Sequence, residues 1–360
     1  MSVTSGITLP PFFCPFEEVI HPKAESITQR TADWLDDFRF YRNDIHRAWI
    51  LASETGDAMA RIFPNGDEDA VVLASSWVLS HYALDDMKFE FPGHTLPASA
   101  AAELAARSVR FFEAPGDPAL GNEPFAPAMR DIITRLTDMT GPTQIQRFIH
   151  AWQHWLMSIL WRLSNGERGH HPDPDSYTRM RLAECGGWVT MAWSEVTSGL
   201  HIPDHEMHSP PMRAAIEASF LVMGWDNDFV TYAQEQRVDP TSQNIISALA
   251  QHHRCSPQDA LEEAVILRDR AMSLFLQLHQ QLKPTVSDGA RRYLDDLGHA
   301  IRSNLDWGTS TLRHTSPSPR TEMPRPGTPI PVTFTNRPRT DRTDPLPMPA
   351  VAWWWDQLSS

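Results

Sequence analysis

Asn227-Asp228-Phe229-Val230-Thr231-Tyr232-Ala233-Gln234-Glu235 sets an amide oxygen, a hydroxyl and a carboxylate at four-residue steps. On a helix turning about 100° per residue, each step of four drifts by only about 40°, so Asn227, Thr231 and Glu235 share one face. Asp228 points about 100° away from Asn227 and reads as structural. Three oxygen ligands on one ridge make the hard donor set that Mg²⁺ takes. The apolar run Leu221-Val222-Met223-Gly224-Trp225 just before it argues for a buried helix rather than a polar surface one.

A second acidic ridge lies upstream in Asp85-Asp86-Met87-Lys88-Phe89-Glu90, with Asp86 and Glu90 also four apart. It follows Val71 to Leu84, an apolar helical run, so these carboxylates end a buried helix. Asp36-Asp37 and Asp295-Asp296 are paired too, but neither has a carboxylate four or five places on, and both read as surface charge. Two oxygen-ligand ridges this far apart predict two helices facing each other across a metal-filled pocket.

The two stretches together resemble the metal-binding motifs of class I terpene synthases, DDxx(x)D/E and (N/D)Dxx(S/T)xxxE. Order and spacing match, and the resemblance covers roughly residues 10 to 314. It implies metal ligation by Asp85, Asp86, Glu90, Asn227, Thr231 and Glu235, with three Mg²⁺ ions and Mn²⁺ as an alternative. Bacterial members place a diphosphate-sensing arginine about 46 residues before the triad's Asn, and 227 − 46 = 181 is Arg181. The competing Arg179 lies where it can pair with Asp173 or Asp175. An Arg-Tyr pair follows the triad by some 80 to 90 residues in the family; here Arg313 stands 313 − 227 = 86 residues on, with His314 in place of Tyr. Arg181 and Arg313 are thus the implied catalytic, diphosphate-binding arginines.

The resemblance also implies a helix break after Arg181 that aims a backbone carbonyl into the pocket. Glu184-Cys185-Gly186-Gly187 fits, because adjacent glycines disfavour continuous helix; Cys185 stands where the family often has Gly. Cys185 and Gly186 are therefore candidate substrate-binding positions. His81, one turn before Asp85, and Trp188 and Trp307 are candidate cavity walls whose π faces stabilise cationic carbon. Against that stands ordinary core burial, the common fate of a tryptophan.

The implied activity is ionisation of an acyclic prenyl diphosphate, farnesyl or geranylgeranyl, and cyclisation of the cation. Chain-elongating prenyltransferases carry two aspartate-rich motifs, whereas this chain has a triad in place of the second. Protonation-type cyclases use Asp-x-Asp-Asp, and Asp33-Trp34-Leu35-Asp36-Asp37 has the wrong spacing. A non-enzymatic helical scaffold with a Pro-rich interaction tail is the alternative from another class.

Composition agrees. The chain has 360 residues, 41% hydrophobic, with a net charge of −14, enough for a substantial core and unsuited to nucleic acid as a default partner. No apolar run approaches the roughly 20 residues that span a bilayer, and the first residues lack a basic-then-apolar leader. Cys14, Cys185 and Cys255, odd in number and widely spaced, fit a reducing cytoplasm. A monomer or homodimer is expected. His205-Glu206-Met207-His208 is not the zinc pattern His-Glu-x-x-His, His252-His253 project to different faces, and no nucleotide-binding glycine motif occurs.

Apolar spacing predicts an all-α single domain of residues 1–314. Residues 1–20 are proline-broken and extended. Helices run through Trp34 to Trp49, Val71 to Leu84, Ala98 to Phe112, Ile145 to Leu163, from Tyr177, through the triad, Asn244 to Leu249, Pro257 to Leu282, and Gly289 to Leu312. Residues 315–360 form a Pro-rich tail too polar to nucleate a core. It ends in Trp353-Trp354-Trp355, which would be costly to leave in water. The tail is expected to return to the body, over or beside the pocket mouth or in a remote apolar groove.

Overall fold

The computed structural model describes residues 7–90, 95–238 and 242–359. The first helices are α1 Ala24–Phe38, α2 Asp44–Leu51, α3 Thr55–Ile62 and α4 Glu68–Asp85. A single π turn, Asp86–Glu90, follows α4, and then come α5 Ala98–Glu113, α6 Ala126–Met139 and α7 Pro142–Glu167. The chain continues through α8 Pro174–Glu184, α9 Gly187–Met191, α10 Ser194–Ser198, α11 Asp204–Met207 and α12 Pro210–Val238. It closes with α13 Ile245–His253, α14 Pro257–Leu282, α15 Asp288–Ser310, α16 Leu312–Thr315 and α17 Pro349–Ala352. The all-α expectation holds. Helices α3, of eight residues, and α6, of fourteen, are amphipathic and were not expected from the sequence.

Helix starts are set by local chemistry. Asp67 caps α4 by accepting from Ala70 N at 3.1 Å, and Asp173 caps α8 by accepting from Ser176 N at 2.8 Å. Pro174 and Pro257 occupy first helical positions, where a missing N–H costs nothing. α4 is apolar nearly all round, with every residue from Ala70 to His81 buried, so it can only be a central helix.

Helices α3, α4, α7, α8, α12 and α15 close a ring. α3 packs on α4 and α15, α15 on α12, α12 on α8, and α8 on α7. Aromatic contacts join α7 back to α4: the Trp77 and Trp152 rings lie 5.0 Å apart, and His81 and Trp155 4.1 Å. Both acidic ridges stand on members of this ring. Among the described residues, no helix is long and apolar enough to cross a membrane.

The proline-rich tail packs along the body. Phe334–Thr335 (β2) pairs in parallel with Phe12–Phe13 (β1), so the N-terminal extended segment and the tail hold each other. Residues 1–6 of that segment lie outside the described residues. Arg339 N donates to Asp269 Oδ2 at 2.9 Å, and Ala350 N to Asp175 Oδ1 at 2.8 Å. Trp354 is fully buried, its indole N–H donating to Glu217 Oε2 at 2.9 Å. Glu217 lies ten residues before Asn227 on α12, about 15 Å along the axis. The tryptophan cluster therefore docks in a groove remote from the second ridge, while an earlier part of the tail lies near Arg313.

One surface reading is corrected. Asp296 is fully buried, accepting from Ser194 Oγ at 2.6 Å and paired with Arg292 at 2.9 Å. Its neighbour Asp295 faces outward to His279 and Lys283.

Candidate active site

The first ridge begins where α4 rewinds into the π turn, a distortion that recurs at functional sites. Asp86 is buried and gripped by Arg313, Nη1 to Oδ2 at 2.8 Å and Nη2 to Oδ1 at 2.7 Å; the same Nη2 lies 3.1 Å from Glu90. Burial is the largest influence on Asp86 and opposes its ionisation, but the Arg313 charge and hydrogen bonds, with the Arg320 charge, together outweigh it and hold the carboxyl below its ordinary range. Asp85 has no such grip. Its Oδ1 is buried without a hydrogen bond, 3.5 Å from Arg162, and burial followed by repulsion from Glu90 pushes its pKa well above the usual value.

The second ridge is organised around Arg181. Its Nη2 lies 2.9 Å from Asn227 Oδ1 and 2.9 Å from Asp228 Oδ1. Asp228 is buried, accepts from the Tyr177 hydroxyl at 2.5 Å and from Ile245 N at 3.1 Å, and so ties α12 to α8 and α13. Thr231 Oγ1 is within hydrogen-bond distance of Asn227 O at 2.8 Å and Glu235 Oε1 at 2.6 Å, with one proton to serve either. Asn244 Nδ2 donates to Glu235 Oε2 at 3.0 Å. Burial, then the nearby Asp228 charge, pushes Glu235 up to about 7.

Arg162 joins the two ridges. Besides Asp85, it stands 3.0 Å from Glu184 Oε1, and Glu184 in turn accepts from Arg181. A continuous line of charge therefore runs from Asp85 through Arg162, Glu184 and Arg181 to Asn227 and Asp228. The sequence reading missed Arg162. Its signal is an arginine seven residues, about two turns, after the buried Trp155 on an aromatic-rich helix. Arg179, by contrast, pairs with Asp175 at 2.7 Å on the surface.

The helix break falls after α8, where Gly186 takes the left-handed φ of 77° that favours glycine. A Cβ on Gly187 would sit 2.6 Å from Phe220, so the adjacent position also needs glycine. Gly186 faces His81, and Cys185 packs against Gly224 on α12. Trp307 lies on the Arg313 side, its N–H donating to Ser53 O at 2.7 Å and its ring 5.8 Å from Tyr82. Trp188 packs instead on Phe220 and under the Arg213 guanidinium, toward the start of α12. His314, in place of the family tyrosine, donates from Nδ1 to Gly308 O at 2.8 Å and sits edge-on to Trp307.

Part of the tail completes this end of the site. Arg320 stacks on Trp49 at 4.1 Å, and Trp49 Nε1 donates to Glu322 O at 2.7 Å. Burial, then the charge of Arg313, push Arg320 down to about 10.

Among the described residues, no three His, Cys, Asp or Glu side chains converge as a finished metal cage. The donor chemistry nonetheless fits a divalent hard cation. The ridges supply carboxylate, amide and hydroxyl oxygens, and Asp85 keeps a buried oxygen with no hydrogen bond beside two further carboxylates.

The model of terpene synthase family 2, C-terminal metal binding, matches residues 77–273. Spiroviolene synthase of Streptomyces violens is 32% identical over 97% of this chain and 97% of its own length. Bonnadiene synthase of Allokutzneria albata is 29% identical over 97% of this chain and 98% of its own. Among solved structures, the SVS_A2 protein from ancestral sequence reconstruction superposes with a TM-score of 0.86 at 35% identity, covering 97% of this chain and 99% of that one.

Proposed function

Since the chain belongs to terpene synthase family 2, we propose that it ionises farnesyl or geranylgeranyl diphosphate and cyclises the cation, releasing diphosphate. The observation that carries the reading is that each acidic ridge holds an arginine, Arg313 on Asp86 and Arg181 on Asn227. Arg162 and Glu184 link the two.

Asp85, Asp86 and Glu90 on one side, and Asn227, Thr231 and Glu235 on the other, would hold Mg²⁺, three ions in the family pattern, with Mn²⁺ able to substitute. Bound there, the metal supplies Lewis-acid stabilisation of the diphosphate leaving group. Arg181 and Arg313 present planar forks suited to paired phosphate oxygens. Tyr177, Glu184 and Asp228 orient Arg181, so its charge is positioned before substrate arrives. Tyr82, Phe89, Trp155 and Trp307 turn aromatic surface toward this region and stabilise developing positive charge through their π faces. Exclusion of water on substrate binding would let the cation meet its own double bonds.

Incubation of purified protein with each diphosphate and Mg²⁺, with products identified by mass spectrometry, tests the proposal. Cyclic product from one of them is expected. No diphosphate release from either, with or without Mn²⁺, overturns it.

A further inference from the structure

His81 is a buried imidazole to which metal and diphosphate binding assign no chemistry. It projects from α4 one turn before Asp85, into a wall of rings: Trp155 edge-on at 4.1 Å, Trp152 at 5.9 Å, Tyr82 at 6.1 Å and Trp77 at 6.4 Å. Its Cε1 lies 3.6 Å from where a Cβ on Gly186 would stand, so the ring sits at the helix break between α8 and α9. Among the described residues, its Nε2 is buried with no hydrogen-bond partner.

A buried polar atom left unpaired costs about 1–3 kcal/mol. Phenylalanine would build the same aromatic wall without that cost. The nitrogen therefore needs a reason beyond packing, and a reacting molecule is the partner the site is built around. The ring is also held neutral: burial, reinforced by the Arg313 charge, pushes its pKa down to about 3. A neutral imidazole has one N–H and one nitrogen lone pair. In the Nδ1–H tautomer that lone pair is on Nε2.

We propose that His81 is the proton acceptor that ends the cation cascade, an inference resting on the cyclase reading above. Nε2 forms a bond to a hydrogen on the carbon beside the cationic centre. The C–H electron pair becomes the π bond of the product alkene, and His81 becomes imidazolium. After product leaves, the proton passes to water, and the environment that disfavours imidazolium resets the neutral base. A tertiary carbocation is so strong an acid that even a weakly basic imidazole removes its proton. The aromatic wall stabilises the cation without competing for that proton.

The test uses full-length wild type, His81→Phe and His81→Gln with farnesyl and geranylgeranyl diphosphate and Mg²⁺. Diphosphate release and product identity are measured in parallel. Folding is checked by circular dichroism, and glutamine guards against a Phe variant that misfolds. Release reports ionisation; the product per diphosphate released reports termination. The wild-type alkene should fall at least about tenfold per diphosphate in both variants, replaced by double-bond isomers or water-captured alcohols. An alkene yield per diphosphate within twofold of wild type in either folded variant overturns the role of His81 alone. So does a wild-type product that is an alcohol retaining every substrate hydrogen. Absence of diphosphate release from wild type overturns the cyclase reading itself, and this inference with it.

Discussion

Arg313 closes on Asp86 across 227 residues of sequence, with two parallel N–H···O contacts at 2.8 and 2.7 Å and a third to Glu90 at 3.1 Å. The C-terminal arginine and the first acidic ridge are thus one unit. Asp86 fixes the guanidinium plane, and the guanidinium keeps Asp86 ionised in a buried setting.

Lysine keeps the charge of an arginine but loses the planar fork. Arg313→Lys and Arg181→Lys should each lower kcat/KM more than tenfold, about 1.4 kcal/mol or more of transition-state stabilisation. Arg179→Lys should stay near wild type, since Arg179 is committed to Asp175 at the surface. Steady-state kinetics on the three proteins decide, and damage confined to Arg179→Lys would show that the sensor has been misassigned.

Removing a ligand from either ridge should stop catalysis without unfolding the chain. Asp85→Ala and Asn227→Ala are expected to abolish turnover while leaving the helical circular dichroism intact, because neither side chain is a large packing element. Wild-type rates in either variant contradict the metal assignment.

Arg162 offers a sharper check on the line of charge between the ridges. Arg162→Leu leaves Glu184 and Asp85 without one of their cations, and unpairing a buried ion pair costs about 3–5 kcal/mol. We expect a lower melting temperature together with reduced kcat/KM. Glu184→Gln in the same background should restore part of the stability, and thermal denaturation of both variants measures it.

His314 carries a pH signature. Burial pushes its pKa down to about 4, from the ordinary 6.5. Between these values the unfolded chain binds the proton and the folded one does not. Its contribution is present above pH 6.5 and is lost as pH falls toward 4, by up to about 3 kcal/mol. His314→Tyr removes that titration, so urea unfolding across this range should fall off less steeply than in wild type. Equal slopes would show that the ring is not held neutral.

The tail should act mainly on stability at its far end. Trp354→Ala empties a fully buried site and should cost about 3–5 kcal/mol, with the product profile unchanged. Truncation after Thr315 removes β2, Trp354 and Arg320 together. It should lower the melting temperature strongly and also increase water-captured product, because Arg320 covers Trp49 and stands close enough to Arg313 for their charges to repel. An unchanged melting temperature after truncation contradicts the packing of the tail.

Residue spacing alone determined much here. Four-residue steps put Asn227, Thr231 and Glu235 on one ridge, an apolar run placed Asp85 and Asp86 at the end of a buried helix, and paired glycines broke the chain after Glu184. These are local properties, fixed by helical geometry and backbone freedom. Tertiary structure decided what each group faces. Asp296 looked like surface charge because burial depends on neighbours far along the chain, here Ser194. Arg162 belongs to no sequence motif, and its role depends on α8 bringing Glu184 to it. The tryptophan cluster had to be buried somewhere, because exposed indole is costly. The Glu217 groove was its destination because packing α8, α12 and α14 together creates a surface that no local pattern encodes.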